Sequence, residues 1–471
     1  MSKLLLTFYA DDFTGATDAL EQLTLAGIRT ALFLAPPPRQ PLKKFPKLEA
    51  IGVAGKTRSL APDAMERELK PALKKLKALG ARHVHYKVCS TFDSSPTIGS
   101  IGRVMDLGAK IFPARFIPLL VAAPALGRFT IFGQHFARYG IGSAGAIHRL
   151  DRHPSISQHP VTPMTEADLR VHLSRQTKKK IALFDILKFA PTAKESRAAL
   201  EKILAEKPEV ILFDALSELH LQRIGELLES FASAKRPLFS VGSSGIETAL
   251  AAQFHPRSSR RKEALTESAI GNRQSAIDLS LRTSAATKQL LVGSGSCSPV
   301  TGGQIAWALK HGFAEVALDA GSLADSKMRA TEIKSAAARA AKFLQANRSV
   351  IVHTTKRGSD KRIAAKLKTR TAEILGAALG EVLRNALAQS SVRRVCIAGG
   401  DTSSFAARTL GIEALEMIAP LTPGAPLCRA RAPGSPADNL EIVFKGGQVG
   451  AENYFEFIGK RMKAETGAPK L

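Results

Sequence analysis

The sequence predicts an α/β protein with two domains, each built around a largely parallel sheet. The chain has 471 residues, and since domains usually run to about 100 to 200 residues, it has room for two or three. Apolar or β-branched runs alternate with helical patterns along most of the chain, which is typical of parallel sheets with helical crossovers. A hydrophobic fraction of 45% and a charged fraction of 23% are those of a globular protein.

The strand candidates are short runs of apolar, β-branched or aromatic residues. In the first half of the chain they include residues 4–10, 30–34, 83–88, 181–184, 210–213 and 238–241. In the second half they include residues 290–292, 316–318, 350–354, 394–398, 415–418 and 441–444. Helical apolar spacing follows several of them, for example Ala16, Leu20 and Leu23 after the first strand.

The predicted N-terminal domain covers residues 1–254 and the predicted C-terminal domain residues 289–471. Residues 255–288 separate them; this stretch is rich in Ser and Arg and shows little apolar periodicity. We interpret it as a polar, basic linker or insertion. A nucleic-acid-binding arm is the alternative, because the stretch carries seven basic and three acidic side chains.

Charge and composition exclude some classes of protein and raise the question of partners. With 67 Lys and Arg against 41 Asp and Glu, the net charge is +26, which favours an anionic partner. No apolar run approaches the roughly 18 residues that span a bilayer, and the N-terminus lacks a signal-peptide cleavage pattern, so we expect a cytoplasmic protein without membrane partners. The cysteines are distant from one another and form no C-x-x-C pair, which argues against a disulfide scaffold or zinc ribbon. They are Cys89, Cys297, Cys396 and Cys428.

Two consecutive carboxylates, Asp11 and Asp12, follow the first predicted strand. In open α/β sheets, ligands bind outside the carboxyl ends of the strands. Paired acids at that edge can accept the proton of a substrate hydroxyl or hold hydroxyl groups. A structural role is the alternative, with one Asp capping the following helix and Thr14 as a competing cap. The pair followed by Gly15 favours a functional site.

Two further clusters carry cations. Residues 50–57, AIGVAGKT, fit a relaxed phosphate-loop pattern, but the next helical signal begins later, at residues 61–63, which favours a different role. Arg58, directly after this stretch, can instead bind a carboxylate, because the planar guanidinium binds carboxylates in bidentate fashion. The second cluster lies at the end of the strand candidate 83–88 and contains Lys87, Cys89 and Ser90. A cation with hydroxyls suits a small polyhydroxylated acid; an ordinary Ser/Thr turn is the alternative.

The C-terminal domain has glycine-rich turns after predicted strands. They comprise GSGSCSP at residues 293–299, GGDTSS at 399–404 and KGGQVG at 445–450. Glycines let a phosphate approach the backbone, and a helix N-terminus supplies N–H donors. Together these turns predict a cradle for nucleotide phosphates, with Asp401 as a candidate to organise the metal that a nucleotide carries.

These residues resemble the four-carbon acid sugar kinase family, and the resemblance covers nearly the whole chain apart from residues 255–288. The blocks that carry it are ADDFTGA at 10–16, TRS at 57–59, KVCSTFD at 87–93, HPVTPM at 159–164, VGSSG at 241–245, GSCSPVT at 295–301, GGDTS at 399–403, PGAP at 423–426 and KGGQVG at 445–450. The CSTFDS run resembles the 3-oxo-tetronate kinase branch. The resemblance implies a two-domain fold with the active site in the interdomain cleft.

The resemblance also implies an activity: ATP-dependent phosphorylation of a hydroxyl of 3-oxo-tetronate, threonate or erythronate, with ATP and Mg²⁺ as cofactors. One group of positions resembles the sugar-acid site: Asp11, Asp12, Arg58, Lys87, Cys89 and Ser90. Another resembles the nucleotide site: Ser296, Ser298, Gly399, Gly400, Asp401, Thr402, Gly446 and Gly447. Asp11 or Asp12 would act on the attacking hydroxyl.

The expected partners are therefore a sugar acid and ATP, without nucleic acid, and a homodimer is left open. Two other functions compete with this prediction. A basic nucleic-acid-binding protein would use the +26 charge and bind in a salt-sensitive manner. An inactive sugar-acid sensor would keep the N-terminal site without turning over ATP.

Overall fold

The structure, a computed structural model, describes residues 4–38, 41–45, 47–139, 145–159, 161–254, 289–354 and 371–459. These residues form two compact units, one before and one after the segment 255–288. The predicted linker or insertion lies outside the described residues. The fold class is confirmed, since each unit combines helices with a mostly parallel sheet; a site in the interdomain cleft stays a prediction.

The first unit contains a long parallel sheet and a small antiparallel one. Its strands are β1 (Leu6–Ala10), β2 (Thr30–Phe33), β3 (Ala50–Ala54), β4 (His83–Lys87), β5 (Ile117–Leu120), β6 (Arg128–Ile131), β7 (Gln134–Arg138), β8 (Ile147–Arg149), β9 (Ile181–Phe184), β10 (Val210–Phe213) and β11 (Leu238–Gly242). The parallel sheet has the order β2-β3-β1-β4-β11-β5-β10-β9. The antiparallel sheet has the order β6-β7-β8.

Helices cover the parallel sheet of the first unit, and their starts follow local capping chemistry. They are α1 (Phe13–Leu25), α2 (Pro62–Ala78), α3 (Ile101–Ile111), α4 (Leu169–Ser174), α5 (Ala193–Ala205), α6 (Glu218–Glu229) and α7 (Gly245–Phe254). Helix α2 begins with Pro62 at its first position, where proline costs no hydrogen bond. Helix α5 begins with a capping box formed by Thr192 and Glu195.

The second unit has a parallel sheet extended by two antiparallel strands. Its strands are β12 (Leu291–Ser294), β13 (Ala314–Ala317), β14 (Val350–His353), β15 (Arg394–Ala398), β16 (Ala414–Thr422), β17 (Ala425–Arg431) and β18 (Glu441–Lys445). They are ordered β13-β14-β12-β15-β18-β17-β16, with β17 antiparallel to both neighbours. The helices are α8 (Pro299–Lys310), α9 (Ala320–Ala324), α10 (Arg329–Gln345), α11 (Thr371–Ala388), α12 (Gly400–Thr409) and α13 (Tyr454–Gly459). None of the helices in the described part is long and apolar enough to cross a membrane.

Each of the twelve strand candidates overlaps a strand of the structure. The ends agree within two residues, except that β16 continues to Thr422, beyond the candidate 415–418. The strands that the sequence did not indicate are β3, β5, β6, β7, β8 and β17. Strand β3 lies within the stretch that fits a relaxed phosphate loop. Its Gly52 is required by packing, because a Cβ there would lie 2.1 Å from Cζ of Phe8 on the neighbouring strand β1.

Candidate active site

The carboxyl ends of parallel strands bring the candidate residues of the first unit together. Strand β1 pairs with β4 so that Ala10 lies opposite Lys87. The amide of Asp11 donates to the carbonyl of Lys87 at 2.9 Å, and the amide of Arg58 donates to the carbonyl of Asp11 at 3.1 Å. Segments that are far apart in sequence therefore meet at one edge of the sheet.

Arg58 is held by both carboxylates. Its Nε and Nη2 donate to Oδ2 and Oδ1 of Asp11 at 3.2 and 2.9 Å, and its Nη1 lies 2.9 Å from Oδ2 of Asp12. Both carboxylates are buried, whereas Arg58 keeps 21% of its side chain exposed. Burial raises the pKa of Asp11, and the charge of Arg58 opposes this rise.

Asp12 also caps helix α1. Its Oδ1 accepts from the amide of Gly15 at 2.7 Å, and its Oδ2 accepts from the hydroxyl of Thr14 at 2.7 Å. A Cβ at position 15 would lie 2.6 Å from Oδ1 of Asp12, which explains the glycine. The idea of Thr14 as a competing cap is wrong, because its hydroxyl donates to Asp12 instead. The capping and functional interpretations of Asp12 are thus compatible.

Lys87 is fully buried among acids that the sequence analysis did not single out. Its Nζ lies 3.3 Å from Oδ2 of Asp18 and donates to the carbonyl of Val88 at 3.1 Å. Burial by itself lowers the pKa of Lys87, but nearby negative charge, foremost that of Asp18, outweighs burial, so its pKa is raised and the ammonium stays charged.

Glu247 lies on α7 beneath this lysine and is fully buried. Its Oε1 is 3.6 Å from Nε2 of His85, and neither carboxylate oxygen has a hydrogen-bond partner among the described residues. Burial raises the pKa of Glu247 to about 8 and lowers that of His85 to about 3. Both are therefore largely uncharged at neutral pH. The sequence signal for Glu247 is a carboxylate inside an otherwise apolar helix.

The loop after β4 has the predicted polar character. Sγ of Cys89 lies 2.8 Å from Oγ1 of Thr91, and burial raises the pKa of the Cys89 thiol to about 11. The thiol is therefore protonated at neutral pH and is no nucleophile. The carbonyl of Ser90 lies 2.9 Å from Nε2 of His135. This contact joins the Cys89–Ser90 loop to strand β7.

The structure contradicts the phosphate-loop alternative for residues 50–57. Thr57 begins a short 3-10 turn instead of a helix, and α2 begins only at Pro62. The hydroxyl of Thr57 is buried and lies 2.8 Å from the hydroxyl of Tyr86. This stretch consequently serves to place Arg58 at the edge of the sheet.

In the second unit, the three glycine-rich turns converge. The amide of Gly399 donates to the carbonyl of Lys445 at 3.0 Å. A Cβ at position 295 would lie 2.2 Å from Oγ1 of Thr402, and a Cβ at position 447 would lie 2.9 Å from Oγ of Ser296. Gly399 has a φ of 114°, which favours glycine. The turns are therefore packed too closely for larger residues.

The convergence also brings together two helix N-termini, those of α8 and α12. Helix α8 begins after Ser298, whose buried Oγ has no partner within the described residues. Helix α12 begins at Gly400. Backbone donors and unpaired hydroxyls of this kind suit phosphate oxygens. Of Asp401 the structure describes the backbone but not the side chain.

Lys445 is the first residue of the third glycine-rich turn, but the sequence analysis gave it no role of its own. It is fully buried at the end of β18, and its Nζ donates to Oγ1 of Thr301 at 2.9 Å. Burial without a carboxylate neighbour lowers its pKa to about 8. The sequence signal is a lysine that ends an apolar strand directly before glycines. No group of three or more His, Cys, Asp or Glu in the described segments could hold a metal ion.

Two family models match different parts of the chain. A family model for a sugar-binding N-terminal domain matches residues 6–250, and one for a nucleotide-binding C-terminal domain matches residues 291–455. A crystal structure from Salmonella typhimurium LT2, provisionally described as a tRNA synthase, matches with a TM-score of 0.73 and 25% identity, over 96% of this chain and 98% of its own.

Two curated relatives match over nearly their full lengths. The 3-oxo-isoapionate kinase of Paraburkholderia graminis is 40% identical, over 97% of this chain and 94% of its own. The 3-oxo-tetronate kinase of Cupriavidus necator is 31% identical, over 96% of both chains. The protein therefore belongs to the four-carbon acid sugar kinase family and is an ATP-dependent kinase of sugar acids.

Proposed function

We propose that this kinase phosphorylates a hydroxyl of a 3-oxo sugar acid, and that 3-oxo-isoapionate is the first substrate to test. The observation that carries the proposal is the cluster of two carboxylates and two cations at the carboxyl edge of the first sheet, which suits a small acid with hydroxyl groups. The choice of acid is supported by the 40% identity to a 3-oxo-isoapionate kinase, against 31% to the 3-oxo-tetronate kinase of Cupriavidus necator.

In this proposal Asp11 accepts the proton of the attacking hydroxyl. Oδ2 of Asp12 already accepts from Thr14 and Arg58, and its Oδ1 accepts from Gly15. Among the described residues, each oxygen of Asp11 accepts only once, from Arg58, so each keeps a lone pair for a substrate hydroxyl. Burial raises the pKa of Asp11, which strengthens this carboxylate as a proton acceptor.

The reaction then needs no covalent enzyme intermediate. The hydroxyl oxygen forms a bond to the γ-phosphorus, the bond to the β–γ bridging oxygen breaks, and ADP leaves while Asp11 holds the proton. Such a transfer depends chiefly on positioning and on neutralisation of charge. Lys87 and Arg58 would orient the acid, while Cys89 and Ser90 would line its site.

The second unit would bind the nucleotide. The close-packed glycine turns and the unpartnered hydroxyl of Ser298 fit phosphate oxygens, with Ser296, Gly399, Gly400, Thr402, Gly446 and Gly447 around them. The ammonium of Lys445, buried at the end of β18, would contribute positive charge to the nucleotide site. Mg²⁺ carried by the nucleotide would neutralise further phosphate charge, and Asp401 is the residue that we propose to hold it.

A coupled assay of ADP release tests the proposal. The acids to compare are 3-oxo-isoapionate, 3-oxo-tetronates, threonate and erythronate, each with ATP and Mg²⁺. We expect saturable ADP release that requires the acid, with the highest kcat/KM for 3-oxo-isoapionate. A higher kcat/KM for another acid would contradict the choice of substrate. If no acid stimulates ADP release while ATP and acids still bind, the sensor hypothesis replaces the proposal.

A further inference from the structure

Arg128 is a buried cation of the first unit that forms no ion pair with any carboxylate of the described residues. Its side chain is 5% exposed. Nη1 donates to the carbonyls of Leu126 and Arg138 at 3.0 and 3.1 Å, with a longer contact to Gly127. Nε is buried without a partner, and no described residue forms a hydrogen bond or ion pair with Nη2. Backbone carbonyls therefore hold Nη1, whereas the edge formed by Nε and Nη2 has no hydrogen bond to a described residue.

The contrast with Arg58 shows what the unused edge is suited to bind. Arg58 directs the same two atoms, Nε and Nη2, at the two oxygens of Asp11, which is the bidentate geometry of an arginine and a carboxylate. In Arg128 this edge has no such partner. A buried guanidinium without an anion is unfavourable, and burial lowers the pKa of Arg128. An anionic ligand would remove that cost.

The position of Arg128 relates it to the candidate substrate site. Arg128 and Thr130 lie on one face of β6, and Thr130 pairs with His135 across the hairpin. His135 in turn contacts the carbonyl of Ser90. The face of the hairpin that carries Arg128 therefore packs against the Cys89–Ser90 loop.

Two further observations agree with this position. The hairpin leaves the sheet after β5, which lies next to β11 and two places from β4, so it starts from the same carboxyl edge as Lys87. The carboxylates whose charges reach Arg128 are those of Asp93 and Asp18, and Asp18 is also the partner of Lys87. None of them lies within ion-pair distance of Arg128.

We propose that Arg128 binds the carboxylate of the sugar acid through its Nε and Nη2 edge, and that it thereby selects acids over neutral polyols. This inference rests on the proposed sugar-acid kinase function. It assigns the carboxylate to Arg128 instead of Arg58, whose equivalent edge is occupied by Asp11. Arg58 and the two aspartates are then available for the hydroxyl end of the substrate.

The test compares kinetics for an acid and for its uncharged analogue. The acid is 3-oxo-isoapionate, or whichever acid of the ADP-release screen turns over, and the analogue is its primary amide. For Arg128→Gln we expect the KM for the acid to rise by about 100-fold, because two hydrogen bonds to a charged group are lost. The KM for ATP should stay within about twofold, and the preference for the acid over the amide should largely disappear. Arg128→Lys, which keeps the charge without the fork, should be intermediate.

The matched control is Arg138→Gln on the same hairpin. Arg138 lies on the opposite face of β7 from Ala137 and His135, and its Nη1 donates to the carbonyl of Gly145. This variant should keep the preference for the acid. If Arg128→Gln is unstable, calorimetric titration of the acid and the amide into Arg128→Lys gives the same comparison without turnover.

Two outcomes would overturn the inference. One is an unchanged KM for the acid in Arg128→Gln. The other is an equal loss of activity toward the acid and the amide, which would mean that Arg128 only holds the hairpin in place. Failure of the proposed function gives a different result, namely no acid-dependent ADP release by the wild-type protein. Calorimetric titration of 3-oxo-isoapionate into the wild type and Arg128→Lys would then decide the role of Arg128 in binding.

Discussion

Lys87 in the first unit and Lys445 in the second both end a strand, but their pKa values are shifted in opposite directions. Each is the last residue of a parallel strand, β4 or β18, and each is fully buried. Lys87 has the carboxylate of Asp18 beside it, and its pKa is raised. Lys445 donates to the hydroxyl of Thr301 and forms no ion pair with a carboxylate of the described residues, and burial lowers its pKa to about 8.

The difference fits the ligand proposed for each unit. A sugar acid carries one negative charge and several neutral hydroxyls, so most cations of its site can be balanced by the protein's own carboxylates. A nucleotide triphosphate brings several negative charges, so a site that binds it has less need of carboxylates. Arg128 is the cation of the first unit that resembles Lys445, because neither forms an ion pair with a carboxylate of the described residues and we propose an anionic ligand for each.

The largest expected effect separates the two aspartates of the first unit. Asp11→Asn should lower kcat by about 10² to 10⁴-fold, because a general base is lost. Asp12→Asn is the matched control, since Asn also caps helices well and can keep the contact with Gly15. It should lower kcat by about tenfold through one weakened contact with Arg58. Steady-state kinetics measure both, and the reverse order of losses would contradict the assignment of the base to Asp11.

The next effect concerns the buried carboxyl of Glu247. Its pKa of about 8 exceeds the usual 4.5, so the folded state keeps a proton that the unfolded state has lost. The free energy of unfolding should therefore fall as pH rises from about 4.5 to 8, by a few kcal/mol in total. Glu247→Gln cannot ionise and should lack this decrease.

Urea unfolding followed by circular dichroism at pH 5 and pH 7.5 measures the Glu247 effect. The matched control is Glu206→Gln, at a carboxylate whose side chain is 72% exposed. The stability of Glu247→Gln relative to the wild type should rise between the two pH values. A constant difference would mean that the carboxyl of Glu247 is ionised in the folded protein.

In the second unit, Gly295→Ala should weaken nucleotide binding. The added Cβ would meet Oγ1 of Thr402 at 2.2 Å and displace the turn that begins at Gly399. Overpacking of this kind costs about 1–3 kcal/mol, so we expect the KM for ATP to rise about 10- to 100-fold, with little change in the KM for the acid. Gly303→Ala in α8, where an added Cβ meets nothing within 4 Å, is the control. An unchanged KM for ATP in Gly295→Ala would contradict the proposed nucleotide site.

The smallest expected effect is a pH dependence caused by Lys445. Its ammonium is protonated below a pKa of about 8 and would then attract the nucleotide phosphates. The KM for ATP should therefore rise by about tenfold between pH 7 and 9.5, as the charge is lost. Lys445→Met should show a high KM at both pH values. A wild-type pH profile in that variant would exclude Lys445 from nucleotide binding.

The sequence predicted the parts of both sites that lie directly after strands. Asp11, Asp12 and Arg58 meet because parallel strands end at one edge, so local motifs were sufficient to group them. The glycine turns of the second unit converge for the same reason. Strand β3 was not predicted as a strand, because its residues match a relaxed phosphate-loop pattern. The structure gives Gly52 a different reason, since a Cβ there would collide with the ring of Phe8 on β1.

The amino-acid sequence by itself determined the α/β class, most of the strands and the family to which the protein belongs, since these depend on local patterning and motif order. The tertiary structure decided which charges are balanced. Glu247 lies next to His85, whereas Lys445 donates to Thr301 and Arg128 to backbone carbonyls, and sequence spacing gives no measure of those distances. Burial and the identity of the neighbour set the charge state of each group, and both arise only when distant segments pack together.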